Sequence, residues 1–532
     1  MILPVPKTII QNGSMTKKQT KISVKAYSDE YENKALQIMS LFLPQCIYYI
    51  SENADISIEL SDNLDDSGES YILDIKSGVA VIECSGYLSM RNALAAYSKL
   101  VSISDSEIII PDVHIEDNPV CSHRGAMLDL ARGIKDFEKL KEDIILLGKM
   151  CFNTLHLHLS DGDGLCVYLD SFPKEGCLKN SYTKAQMSEL VSFCKILGLE
   201  IIPEFDIPAH STQTLRLFPD FKCVTENPEN DGLWTVCAAI EDVYVLYDKV
   251  IGELCELFPG RYFHVGGDEL TFIGHAYARC EWDNCKNCRE LRKKHGLSDM
   301  VDEYYYFVNR IYDIVKKYNR RMILWSDVFD CTKPAPYPKD VIMQYWNISV
   351  LAKGNNNINK QLAFGYDVIN SYFPETYIDI EKYMTPEKIA IWHWLKNPES
   401  DKKYSSQVLG SEMCAWEYGN TGAYEFYNRT LAPCSVIFAD KLWNGQEISY
   451  TDEYAEALTK AVLGAETPSG FELFKKFFGS VIPPRSKEIA YYDKISVTKD
   501  DIDTALQILE KITENKQVAA YREALKAIND NL

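Results

Sequence analysis

The spacing of apolar positions divides the chain into three stretches. From about Lys21 to Asp112, short runs at Ile22–Val24, Ile56–Leu60, Tyr71–Ile75 and Val79–Glu83 read as strands. Glu32–Leu43 and Ser89–Ser102 carry apolar residues at helical spacing, so this stretch predicts a small α/β domain, with Pro111 and Pro119 bracketing its exit. From about Cys121, apolar strand-like runs alternate with amphipathic helices. The runs are Ala126–Leu130, Thr154–Leu159, Glu200–Phe205, Tyr262–Val265, Arg321–Trp325, Val341–Trp346, Asp367–Ser371 and Glu412–Trp416. Between them lie helical patterns such as Phe137–Met150, Lys184–Leu197, Asp242–Leu257 and Asp302–Tyr318. Eight strand–helix repeats over this length predict a (β/α)8 TIM barrel. The alternative, a doubly wound open sheet, usually shows a glycine-rich phosphate turn after its first strand, and none is present. After Trp443 the pattern is helical, at Asp452–Val462, Phe471–Phe478 and Asp500–Ile528. The expected division is an N-terminal α/β domain over 1–118, a barrel over 119–450 and a helical C-terminal extension over 451–532.

Composition narrows the partners. At 532 residues, 46% apolar and 25% charged, the chain is an ordinary globular sequence too long for one core. A formal net charge of −21 opposes contact with phosphate backbones, which argues against nucleic acid and leaves neutral ligands unaffected. No apolar stretch is long enough to span a bilayer, and residues 1–14 lack the basic start and apolar run of a secretory signal. The 16 cysteines are scattered and often sit inside apolar patterns, as at Cys194, Cys255 and Cys434. That usage fits reduced thiols and a cytoplasmic location.

In a barrel of this kind the strand ends share one mouth, and there the sequence turns polar. Asp129 and Arg132 follow the first strand, with Arg124 at its start. His156, His158 and Asp161 mark the second, and Glu204, Asp206 and His210 the third. The fourth carries His264, Asp268 and Glu269, and the fifth Trp325 with Asp327. Trp346 follows the sixth, Tyr377 and Asp379 the seventh, Trp416 and Glu417 the eighth. Any one of these is an unremarkable helix cap or core residue. Eight strand ends that all carry acids, histidines or tryptophans point to a site. The sharpest segment is His264-Val265-Gly266-Gly267-Asp268-Glu269, in which two glycines permit a tight turn before adjacent carboxylates. Neighbours on an extended chain point opposite ways, so these two acids are expected to have separate partners and tasks.

These residues resemble family 20 glycoside hydrolases, the β-N-acetylhexosaminidases. The similarity runs in order through Arg124-Gly125 with Asp129 and Arg132, then His156-Leu157-His158-Leu159-Ser160-Asp161, then Pro203-Glu204-Phe205-Asp206-Ile207-Pro208-Ala209-His210. It continues through His264 to Glu269 and Tyr377-Ile378-Asp379, and covers most of residues 21–450. What it implies is an exo-acting enzyme that cleaves terminal β-linked GlcNAc or GalNAc from an oligosaccharide or glycoconjugate. The sugar's own acetamide oxygen would be the nucleophile, forming an oxazolinium intermediate; this family is a known exception to the two-carboxylate scheme. By that resemblance Glu269 is the general acid and base, kept protonated at rest by its surroundings, and Asp268 stays ionised to hold the acetamide N–H. Tyr377 donates to the acetamide oxygen. Trp325, Trp346 and Trp416 wall the sugar, Arg124, Asp379 and Glu417 bind its hydroxyls, and Asp161, His210 and Asp206 position the acid. The hydrolysis needs no metal or organic cofactor.

The sequence departs from the family in three places, the smallest being Pro208-Ala209-His210 where the family shows Pro-Gly-His. Gly162-Asp163-Gly164-Leu165-Cys166 stands where the family shows Trp-Arg, and Trp416 and Glu417 are adjacent where the family spaces them by one residue. Two other functions stay open: a lacto-N-biosidase, which releases a disaccharide by the same chemistry, and a catalytically silent sugar-binding barrel. A side feature is Cys280, Cys285 and Cys288 in the insertion after the fourth strand, at C-x4-C-x2-C spacing. Three close thiols suit a structural metal, with Cys331 or His275 as a fourth ligand, or are three unrelated reduced cysteines.

Overall fold

The structure is a computed structural model. It describes residues 1–463 apart from 65–67, 105–106, 226–231, 272–278, 347–357, 379–385, 393–405, 417–426 and 450, with scattered residues from 499 onward. The helices expected at Phe471–Phe478 and, for the most part, over Asp500–Ile528 lie outside the described residues.

The N-terminal sheet is mixed. Its strands run in the order Thr8–Gln19, Glu107–Asp117, Tyr71–Lys76, Val79–Cys84, Ile56–Leu60, Lys21–Ala26, Ile47–Ile50. In Tyr71–Lys76 buried and outward residues alternate, and helices Asp29–Phe42 and Tyr87–Leu100 bring their buried stripes to the domain core. Two strands that escape a sequence reading show why. Thr8–Gln19 is an almost wholly exposed edge, lysine-bearing as edges tend to be. Glu107–Asp117 runs through Pro111, which sequence reasoning places at the domain exit. Pro111 faces Met15, beside the register shift between Gln11 and Met15, where a missing N–H is tolerated.

The barrel closes with eight parallel strands: His123–Asp129, Thr154–His158, Glu200–Glu204, Tyr262–His264, Arg321–Trp325, Ile342–Tyr345, Asp367–Asn370 and Val408–Ala415. Each pairs with the next, and the eighth pairs with the first from Gly410↔His123 to Ala415↔Leu128. Nearly every strand residue is buried, because one face meets the barrel interior and the other the helices. Helix starts are written locally: Asp136 accepts from the amides of Glu138 and Lys139, Thr183 and Gln186 form a capping box, and Asp299 accepts from Asp302. Helices Tyr427–Asn444 and Asp452–Leu463 follow the barrel. Among the described residues no helix is long and apolar enough to cross a membrane.

The two domains meet at the floor of the barrel, where its strands begin. Arg91 of the N-terminal helix donates to the carbonyls of Gly148 and Phe152 at 2.8 and 2.9 Å. Arg124 reaches back the same way. Its guanidinium pairs with Glu69, donates to the carbonyls of Cys121 (2.7 Å) and Cys151 (3.0 Å), and lies 5.2 Å from the ring centre of Trp443. A sugar-binding role for Arg124 is therefore corrected. The residue starts its strand, so its side chain belongs to the floor and not to the mouth.

Candidate active site

Beyond an aliphatic layer of Ile202, Ile323, Ile342 and Ile369, the barrel interior is a ladder of acids and histidines. Glu412 on the eighth strand lies 2.9 Å from both His123 and His156 and accepts from Gln344 at 2.7 Å. His156 is in turn 3.1 Å from Glu204, which also contacts His158 at 2.5 Å and accepts the Trp325 indole N–H at 2.7 Å. Burial alone would favour neutral Glu204, but His158, His264 and His156 outweigh it and hold the carboxyl well below its ordinary range. Burial likewise opposes charge on His156, yet Glu412 and Glu204 lift it to about 9. The ladder is an internally compensated set of charges that stiffens the wall beneath the mouth.

At the top of the ladder Asp161 sits 3.1 Å from His158 and from His210 Nδ1, and 2.6 Å from Arg132 Nη2. Burial favours the neutral acid, but Arg132 and His210 prevail and keep Asp161 ionised. His210 faces three further carboxyls across its other nitrogen: Glu269 at 3.4 Å, Asp268 at 3.9 Å and Asp206 at 4.0 Å. Burial resists its protonation, but Asp161, Asp206 and Asp268 raise its pKa well above the usual value. Its ring leans on Trp234, whose indole N–H donates to the backbone carbonyl of Glu269 at 2.9 Å.

The paired glycines are required by this crowding. Gly266 has φ 64°, and a Cβ there would stand 1.8 Å from Asp206 Oδ1. Gly267, at φ 98°, donates its amide to that same oxygen at 3.1 Å. Glu269 also adopts a left-handed backbone, φ 47°, with its backbone N–H donating to Asp327 Oδ2 at 3.0 Å. Asp268 is buried, and its Oδ1 has no hydrogen-bond partner. Burial, with Glu269 adding to it against the pull of His210, pushes the Asp268 carboxyl up to about 6, which leaves it mostly ionised at neutral pH.

Asp327 links this acid cluster to the aromatics. Its Oδ1 accepts the Trp346 indole N–H at 3.2 Å, and burial with Asp268 nearby raises it to about 8. Trp346 lies parallel to Tyr377, ring centres 6.1 Å apart and planes 9° apart. Tyr377 is 5.7 Å from Trp416, which is 6.0 Å from Trp325. The four rings pack as one cluster with Met127 and Cys414. Tyr377 arrives by a detour: after the seventh strand the short helix Phe373–Thr376 leads into Tyr377–Ile378, which pairs with the eighth strand at Cys414 and Ala415. Arg132 covers Trp416 from 5.1 Å, and the Trp416 indole N–H is buried without a partner.

The structure thus brings together Asp161, His210, Asp268, Glu269, Trp325, Trp346, Tyr377 and Trp416. It does not bring Arg124, and Asp379 and Glu417 lie outside the described residues. The stretch that departs from the family forms a small sheet at the rim, of Ser160–Asp161, Gly164–Val167 and Cys177–Tyr182. Three residues of this arrangement are given no task by the sequence reading. Arg132 had a visible signal, its place at a strand end. Asp327 had the same signal but no assigned task. Trp234 had none, because it lies in a loop whose approach to Glu269 is decided by the fold.

Comparison with known proteins identifies the family and the fold. The model of the family described as Glycosyl hydrolase family 20, catalytic domain, matches residues 121–446. A beta-hexosaminidase of Emericella nidulans is 27% identical over 430 residues, which is 75% of this chain and 65% of that protein. The human beta-hexosaminidase subunit beta is 24% identical over 429 residues, 76% of this chain and 72% of its own. The chain spans less than two thirds of some relatives' length, down to 40% of a beta-hexosaminidase of Porphyromonas gingivalis. Among solved structures, a GH20 exo beta-N-acetylglucosaminidase from Vibrio harveyi in complex with N-acetylglucosamine superposes with a TM-score of 0.74 at 21% identity, covering 87% of this chain and 76% of that one. A beta-N-acetylhexosaminidase from Bacteroides fragilis gives 0.73 at 20% identity, covering 86% and 94%.

Proposed function

The chain belongs to glycosyl hydrolase family 20, and on that premise we propose that it is an exo-acting β-N-acetylhexosaminidase using substrate-assisted, retaining catalysis. The observation that carries this reading is the buried, unpartnered Oδ1 of Asp268 beside Glu269. A buried carboxylate oxygen without a donor costs free energy unless a ligand supplies one, and an acetamide N–H is such a donor. With the N–H held there, the acetamide oxygen turns toward the anomeric carbon and the phenol of Tyr377 steadies it. Positive charge that grows on the forming oxazolinium ring meets the negative charge of Asp268.

Glu269 protonates the leaving oxygen and then takes a proton from the water that opens the ring. His210, charged and 3.4 Å from Glu269, stabilises its carboxylate once the proton has left, and Asp161 orients His210. Trp325, Trp346 and Trp416 form the wall against which the acetamide methyl and sugar ring pack, which restricts the substrate to attacking geometry. Arg132 takes the hydroxyl-binding role that fails for Arg124, with a rigid donor fork already oriented by Asp129 and Asp161. Asp379 and Glu417 keep the hydroxyl contacts that the resemblance implies. Sixteen unbridged cysteines support a reducing, cytoplasmic setting.

The test is a substrate panel: p-nitrophenyl β-N-acetylglucosaminide, its galacto epimer, a lacto-N-biose glycoside and the plain β-glucoside. Release from the N-acetylated monosaccharides and none from the glucoside is expected, with inhibition by thiazoline analogues of the oxazolinium. Release from the lacto-N-biose glycoside alone would make the enzyme a lacto-N-biosidase. Full hydrolysis of the glucoside would end substrate assistance, and no release from any, by folded protein, would favour a silent sugar-binding barrel.

A further inference from the structure

Beside the mouth, the loop after the third strand and the insertion after the fourth are joined by four cysteines. They are Cys223 and Cys237 from the loop, and Cys285 and Cys288 from the insertion, all buried and with sulfurs within 4.8 Å of one another. The cluster differs from the one the spacing suggests: Cys280 and Cys331 are partly exposed and do not belong to it, and His275 lies outside the described residues. Three of the separations are 3.5 Å (Cys237 to Cys288), 3.8 Å (Cys237 to Cys285) and 3.9 Å (Cys223 to Cys288). Four thiolates placed about 2.3 Å from one ion at tetrahedral corners stand roughly 3.8 Å apart. The sulfurs are too far apart for disulfides, which need about 2.05 Å. They are also too close to enclose an iron–sulfur cluster, whose ligands must stand apart by the width of the cluster.

We propose that Cys223, Cys237, Cys285 and Cys288 bind a single structural zinc ion as a tetrathiolate site. The surroundings favour it. Cys285 caps the helix Lys286–His295 and Cys288 lies in its first turn, so the positive end of that helix faces the thiolates. Contacts already place the halves in register: Thr225 bridges Cys285, and the buried Trp282 indole N–H donates to the Val236 carbonyl at 2.8 Å, while within the first loop Cys237 N–H donates to the Phe221 carbonyl at 2.9 Å. With no open coordination position the ion has no part in hydrolysis. Its place explains a different need. Three residues before Cys237, Trp234 packs on His210 and donates to the Glu269 carbonyl, so the ion braces two long loops that together hold the acid and its histidine. The proposal stands on the cysteine geometry and is independent of the sugar specificity proposed above.

The experiment measures metal in full-length protein purified under reducing conditions. One zinc per chain is expected, released by a mercurial thiol reagent in proportion to thiols blocked. Cobalt added to metal-stripped protein should give the visible ligand-field bands of a tetrahedral tetrathiolate complex. Cys237→Ser with Cys288→Ser should lose the zinc and lower the melting temperature, whereas Cys280→Ser and Cys331→Ser should retain it. If the double variant does not fold, the cobalt spectrum and mercurial release of the unmutated protein still decide. Metal-free protein that binds neither zinc nor cobalt, disulfides among the four cysteines, or unchanged zinc in a folded double variant would each overturn the proposal.

Discussion

The floor and the mouth of the barrel each pair an arginine with a buried carboxylate, and they differ in what is left over. At the floor, Arg124 has Glu69, two carbonyls and the face of Trp443, and the pair is closed on itself. At the mouth, Arg132 and Asp161 form one corner of a larger cluster in which His210 faces four acids and Asp268 Oδ1 has no donor. A charge whose partners are all protein is scaffold, while convergent charges with an unmet acceptor await a ligand. An unmet group alone is insufficient: Arg91 at the floor also has unpartnered Nε and Nη2, but no acids converge there to do chemistry.

The comparison breaks most visibly at Glu269. Glu269→Gln should lower kcat/KM on natural glycosides by about 10³-fold or more while leaving stability within about 0.5 kcal/mol. Wild-type turnover by that variant would remove Glu269 from its role. Arg124→Met should do the reverse. Stripping Glu69 of its buried partner should destabilise the protein by about 3–5 kcal/mol in denaturant titration, with KM of the folded fraction unchanged; a raised KM at full stability would return Arg124 to the substrate.

Asp268→Asn sharpens the contrast because activity and stability should part. Activity should fall on the order of 10²–10³-fold. The folded pKa of Asp268, about 6, lies above the ordinary 3.8, so ionisation imposes a folding penalty that builds up between about pH 4 and 6 and stays above it. The wild type is thus penalised at pH 7 and relieved as pH falls through 6 toward 4. The variant should therefore be more stable at pH 7, by on the order of 1–3 kcal/mol, with the difference vanishing near pH 4. A variant that melts lower at pH 7 would mean that attraction to His210 outweighs burial. The smallest effect is expected from Arg132→Lys, which keeps the charge for Asp161 and loses the fork; KM should rise about 10-fold with little change in melting.

Much of this was legible because it is local. Eight apolar runs of strand length, spaced by amphipathic helices, reported a barrel, since a strand buried on both faces has few other ways to read. The Gly266-Gly267-Asp268-Glu269 turn was legible because glycines at a tight bend leave a direct signature. Less was legible where periodicity was absent. The exposed edge Thr8–Gln19 has no buried face to mark it, and Glu107–Asp117 hides its strand behind Pro111.

By itself, then, the sequence determined the order of elements, the barrel, and which strand ends carry acids, histidines and aromatics, because hydrophobic period and turn chemistry act over a few residues. Tertiary structure alone decided that Arg132 and not Arg124 faces the mouth, that Trp234 and Asp327 hold Glu269, and that Cys223 and Cys237 complete a set with Cys285 and Cys288. Those are contacts between residues far apart in the chain. Such contacts depend on where closure of the sheet and packing of its loops place each side chain, and no local pattern encodes that distance.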